Sequence, residues 1–89
     1  MKSIVQKDEG CFLCQNPNTQ THHIFGGANR KNSDKYGLTV KLCQEHHTGN
    51  HGVHFNQTLM DYLHRVGQTK FEEHFPDEDF REIFGKNYL

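Results

Sequence analysis

In Leu38-Thr39-Val40-Lys41-Leu42, apolar and polar positions alternate and β-branched side chains are frequent, the pattern of a strand with one buried face. Thr21 to Phe25 forms a second short strand, ended by Gly26-Gly27. Between them, Asn29 to Tyr36 is polar and reads as a loop with one helical turn after Ser33. Gln44 to His51 starts a helix that Gly49 and Gly52 weaken. Past residue 55 the period changes. Phe55, Leu59, Tyr62, Leu63 and Val66 recur at helical spacing, with Asn56 as N-cap and Gly67 as stop. Phe71 and Phe75 carry the apolar face into a second short helix, and Pro76 opens a last helix bearing Phe80, Ile83 and Phe84. This aromatic stripe reads as core, with His64 and His74 as surface or packing residues. The first ten residues are polar and are expected to fray.

A chain of 89 residues, 33% hydrophobic and without Trp, buries a modest core as one domain. Such domains often add a disulfide or a structural metal. The three cysteines, Cys11, Cys14 and Cys43, are an odd number, which argues against a closed disulfide framework. Met1 to Lys7 lacks the apolar run of a secretory signal, and no stretch nears the ~20 apolar residues of a membrane helix. A cytoplasmic location is expected, where paired cysteines are more often metal ligands than disulfides. Net charge is −1, so the chain has no global basic signature for nucleic acid. Arg30, Lys31, Lys35 and Lys41 nevertheless lie close in sequence, while the stretch from Glu72 to Glu82 is acidic. These charges suit either a local phosphate-binding face or ordinary solvated surface.

Cys11-Phe12-Leu13-Cys14 is a C-x-x-C pair, and Cys43-Gln44-Glu45-His46 is a C-x-x-H pair 28 intervening residues later. A two-residue gap lets both ligands of one turn point at one ion, and two such knuckles complete a closed tetrahedral zinc site. All three cysteines are used. No βαβ pattern surrounds Cys11 and Cys14 to suggest a redox pair.

Six of the eight histidines lie between residues 22 and 54. On a helix over 44–51, His47 and His51 are i and i+4 on one face and can share a metal. His22 and His23 are adjacent on a strand and point to opposite sides, so one faces the metal and the other the substrate. Three histidines with open positions make a catalytic metal arrangement, not a structural one.

The series Cys11-x-x-Cys14, His22-His23-Ile24, Gly26-Gly27 and Leu42-Cys43-x-x-His46-His47 with His51 resembles the HNH endonucleases, the treble-clef ββα-metal or His-Me finger. Gly-Gly-x-x-Arg-Lys and Cys-x-x-His-His look closest to small phage-type members. The resemblance covers about residues 11 to 54 and implies an α+β fold, a zinc-stapled ββα-metal finger with additional C-terminal helices over about 55–89. It implies His22, His47 and His51 as ligands of a catalytic metal, and His23 as the general base. His46 stands where the family usually has a fourth cysteine. One position departs: about nine residues before His47, where the family has asparagine, this chain has Leu38. Asn29 and Asn32 lie earlier and do not match.

The expected activity is metal-dependent hydrolysis of DNA phosphodiesters, by nicking or double-strand cutting. Its cofactors would be a structural zinc and a catalytic divalent ion, Mg²⁺, Mn²⁺, Zn²⁺ or Ni²⁺. Arg30 and Lys31 would clamp phosphate, or lie in a solvated loop. His54 has three readings: alternative ligand, phosphate donor, or packed histidine. DNA is the expected partner, no membrane is involved, and phage-type relatives suggest protein partners in packaging or recombination assemblies. The alternative function is a non-catalytic zinc-stapled module that binds nucleic acid or protein.

Overall fold

The structure, a computed structural model, describes residues 2–49 and 52–89. It is a small mixed fold of helices with one two-stranded sheet. Strands β1 (Thr19–His23) and β2 (Thr39–Cys43) run antiparallel, with Gln20 opposite Leu42, His22 opposite Val40 and His23 opposite Thr39. Cross-strand partners share a face. Gln20 and His22 therefore lie over the buried Val40 and Leu42, while Thr21 and Lys41 meet on the other side, where Lys41 Nζ donates to Thr21 Oγ1 at 2.8 Å.

The polar stretch after Gly26-Gly27 is not a loop with a single helical turn. Gly27–Asn29 makes a 3-10 turn and leads into helix α1 (Arg30–Tyr36). Periodicity missed this helix because it buries only Ser33 and Tyr36. It ends on Gly37 in the left-handed region, at φ 72°, where a Cβ would meet the Lys2 carbonyl oxygen. Ser33 is fully buried, and its hydroxyl donates to the Phe25 carbonyl at 2.7 Å and accepts the Phe25 N–H at 3.0 Å. One side chain thus does the work of a backbone rung and ties α1 to the exit of β1.

Helix α2 (Gln44–His47) is a single turn, shorter than the expected 44–51. A 3-10 turn at Val53–Phe55 then leads into α3 (Gln57–His74), with the Asn56 side chain accepting the Leu59 N–H at 3.0 Å. Gly67 does not stop this helix, and the second helix expected around Phe71 and Phe75 is its continuation. A Cβ on Gly67 would lie 2.9 Å from Ile24 Cγ2 and 2.9 Å from Phe25 Cε2. The glycine is there because α3 rests directly on the end of β1. Helix α4 (Phe80–Phe84) starts at Asp79 and not at Pro76: the Asp79 carboxylate accepts the Arg81 and Glu82 N–H groups.

The core draws Leu38, Val40, Leu42, Leu63, Phe71, Phe80 and Phe84, with Phe25 at its centre, into one cluster. Phe25 packs on Phe80 and Phe84 at ring separations of 5.2 and 4.9 Å. Two of the residues read as core are on the surface: Phe55 is 71% exposed and Tyr62 44%. Residues 2–10, expected to fray, run along the outer edge of β2. The Ile4 N–H donates to the Gly37 carbonyl at 2.9 Å, the Ser3 hydroxyl to the Thr39 carbonyl, and Lys41 N–H to Gln6 Oε1 at 2.7 Å. Among the described residues, no helix is long and apolar enough to cross a membrane.

The contact of α3 with β1 gives a direct test. Gly67→Val places two methyls where Ile24 and Phe25 already stand, and the expected loss is about 1–3 kcal/mol. Urea unfolding followed by circular dichroism measures it, and a midpoint equal to that of the wild type would show that the helix can move away at no cost.

Candidate metal centres

Both knuckles converge. Cys11, Cys14, Cys43 and His46 each offer a ligand atom, all within 4.8 Å of one another. The Cys14 and Cys43 sulfurs are 3.7 Å apart, Cys11 Sγ is 3.7 Å from His46 Nδ1, and Cys43 Sγ is 3.2 Å from it. Tetrahedral zinc with bonds of about 2.3 Å to sulfur and about 2.0 Å to nitrogen sets its ligands roughly 3.5–3.8 Å apart. The four donors fit that ion. The Cys11–Cys14 turn is closed by the Gln15 N–H on the Cys11 carbonyl at 2.9 Å. Burial by itself would raise the Cys11 thiol, but backbone N–H groups of Cys43, Leu13 and Cys14 outweigh it and bring the thiol down to about 6. Cys11 therefore favours thiolate before any ion binds, whereas at Cys14 the lowering by the Asn16 N–H is outweighed by desolvation and by the Cys11 and Cys43 thiols, which raise it.

A second group forms on the neighbouring surface from His22, His47 and His54, again within 4.8 Å. Their rings are 5.1–5.6 Å apart, centroid to centroid. His22 comes from the buried face of β1, His47 from the end of α2, and His54 from the 3-10 turn before α3. His51, expected in this set, lies outside the described residues. Of the three readings of His54, the geometry places its ring with the candidate ligands.

The electrostatics of the group suit a cation. Burial first, then the neighbouring His47, His54 and His23, lower His22 to about 4. Burial and His54 also hold His47 below the ordinary histidine range. Both rings are therefore neutral near pH 7, with lone pairs available to a metal. His47 is further oriented: its Nδ1–H donates to Gln20 Oε1 at 2.8 Å, which leaves Nε2 as the ligand atom. Gln20 was missed in the sequence, although it stands two residues before His22 on the same strand and so shares its face.

These histidines line an open groove that also contains His23, Asn29, Arg30 and Gly26-Gly27. His23 is on the other side of β1 from His22, as strand alternation requires, and its Nε2 is 3.7 Å from the Asp34 carboxylate. Arg30 and Lys31 are the first two residues of α1, not loop residues. Arg30 lines the groove and Lys31 does not. The four clustered basic residues do not form one face. Lys35 lies over the Tyr36 ring at 5.3 Å, and Lys41 is on the opposite side of the sheet, 3.9 Å from Glu9. Leu38, where asparagine was due, is fully buried. Asn29 and Asn32 bind elsewhere, donating to the carbonyls of Phe84 at 2.9 Å and Ile83 at 3.2 Å. His64, read as a surface or packing residue, packs flat on Phe25 and also lines the groove.

No family model, curated protein or solved structure matches this chain.

Two measurements test the centres. Cys43→Ser removes a buried ligand from the knuckle. Its zinc content, by metal analysis, should fall below the one equivalent of the wild type at this site, and its cooperative melt should be lost, because a structural zinc contributes on the order of 10 kcal/mol to folding. A wild-type melt in the variant would show that the knuckle is not a staple. The second test concerns His22. Its folded pKa is depressed, so the unfolded chain binds the extra proton between about pH 4 and 6.5. Stability from this group is present above about pH 6.5 and is lost as pH falls toward 4, by about 3 kcal/mol in the limit. In denaturant titrations at several pH values with no metal on the histidine cluster, His22→Gln should lack this part of the pH slope.

Proposed function

We propose that this chain is an HNH-type, metal-dependent DNA endonuclease built on a treble-clef ββα-metal finger. The observation that carries the reading is the second cluster. A structural zinc module has no need of His22, His47 and His54 gathered in an open groove beside a complete Cys₃His site. His22, His47 and His54 would hold the ion, and His46 with the three cysteines would hold the zinc that staples the chain.

A divalent cation there would neutralise charge at the scissile phosphate and on the leaving oxygen. His23 supplies the proton chemistry. It lines the edge of the groove from the other side of β1, and would accept a proton from water as the water oxygen bonds to phosphorus and the phosphorus–oxygen bond to the leaving group breaks. The leaving oxygen takes its proton from solvent. Asp34 stabilises the imidazolium that forms, from 3.7 Å. Arg30 reaches the backbone of the bound strand from the start of α1, a contact that positions without reading sequence.

The missing asparagine is offset by other ties. The Ser33 hydroxyl fixes the backbone at Phe25, two residues past His23, and Ile24 N–H donates to the Leu38 carbonyl at 3.0 Å. Together they hold the segment that carries the base.

Supercoiled plasmid with added Mg²⁺, Mn²⁺, Ni²⁺ or Zn²⁺ tests the activity. The wild type should convert it to nicked or linear form with at least one of these ions. His23→Ala should be slower by about 10²–10⁴-fold with unchanged DNA affinity. If neither protein cuts with any ion while both bind DNA, the chain is a zinc-stapled binding module. If the variant cuts like the wild type, His23 is not the base.

A further inference from the structure

The histidine groove has a second wall that phosphate chemistry does not use. Met60 and His64 come from α3 and Tyr88 from the C-terminal tail, and all three line the groove that holds His22, His23 and Arg30. The segment after α4 is pinned from inside the protein. Gln68, 1% exposed in α3, accepts the Tyr88 N–H at 2.7 Å and donates to Asn87 Oδ1 at 2.8 Å and to Glu72 Oε2 at 3.1 Å. A buried glutamine without such partners is costly, so the tail and the helix hold each other. Tyr88 is thereby set 4.5 Å from His64, and His64 is itself stacked on Phe25 at 5.1 Å with the rings 14° apart. Phe25 and Phe80 also pack on Tyr88, at 5.1 and 6.2 Å, and Lys86 Nζ lies over its ring at 5.2 Å, so the wall joins two rings and the Met60 side chain with a cation beside them.

A scissile phosphate at the histidines brings its own sugar and base with it. In a duplex that base is stacked and paired, and cannot enter a recess. We propose that the groove takes an unpaired nucleotide of DNA, with its phosphate at the histidine cluster and its base against Tyr88, His64 and Met60. Single-stranded or locally opened DNA is then the preferred substrate. The groove is open to solvent and has a volume of about 530 Å³. That is in the range of sites that hold one small ligand, roughly 300–1,000 Å³, so one nucleotide fits beside the histidine cluster. Stacking on a ring suits every base, because each has a π face, so the preference is for strandedness and not for sequence.

The inference rests on the nuclease reading for its phosphate end only, and binding is measured apart from cutting. The probe is a short oligonucleotide carrying 2-aminopurine, single-stranded or annealed, mixed with the zinc-loaded full chain without other divalent ions. The single strand should bind at least ten-fold tighter than the duplex, with quenched 2-aminopurine emission. Tyr88→Leu keeps apolar bulk against His64 and Phe25 but removes the ring. It should lose about ten-fold in single-strand affinity, and the quench, with an unchanged melting temperature. Should Tyr88→Leu melt early, Met60→Glu puts a negative charge on the same wall without touching the tail, and should weaken single-strand binding in the same way. Equal affinity for single strand and duplex overturns the proposal. So does a stably folded wall variant with unaltered affinity and quench. Plasmid cutting with no strand preference sinks this inference and leaves the nuclease, whereas selective single-strand binding without cutting sinks the nuclease and leaves the groove.

Discussion

His46 and His47 are joined by one peptide bond and serve different clusters. The helix that carries them is a single turn, entered directly from β2 through Cys43. Successive residues on a helix differ by about 100° around its axis, so once His46 is fixed in the Cys₃His group, the direction of His47 is fixed as well. The strand that delivers Cys43 also sets the register of β1, and with it the position of His22 opposite Val40. Two of the three histidines of the second cluster are therefore placed by the knuckle and its strand. The third, His54, arrives by the turn that leads into α3.

Around this junction the rest of the chain supplies rigidity. Helix α1 is bound to the end of β1 through Ser33, and to α4 through Asn29 and Asn32. Helix α3 lies against the same strand end through Gly67, and Phe25 joins all of them in the core. His23 is the last residue of β1, next to these supports. The backbone beside His23 is tied at several points, as the proposed general base would need.

Local patterns in the sequence carried the knuckle, because its ligands come in pairs two residues apart and each pair occupies one turn. The two strands were legible for a similar reason: alternation is a short-range signal. Failures came where tertiary contact overrode local preference. Gly67 reads as a helix stop by propensity, but it is a point of close approach that only glycine permits. The polar sequence of α1 offers no apolar stripe, since its packing rests on one serine and one tyrosine. The membership of His54 depends on where the 3-10 turn at Val53–Phe55 lies against β1 and α2, which spacing alone does not define. Gln20, by contrast, was within reach of the strand rule already applied to His22 and His23.

The N-terminal segment along β2 has a consequence for how copies of this chain behave together. A two-stranded sheet has two outer edges, and an open edge invites pairing with another molecule. Here the Thr39 carbonyl, the Lys41 N–H and the Lys41 carbonyl are taken by Ser3, Gln6 and Phe12, two of them through side chains. Side-chain partners satisfy the strand without extending it, so no regular ladder is offered for further growth. The edge of β2 is thereby protected from strand addition, and the stretch that leads into the Cys₃His group is kept out of intermolecular β-structure.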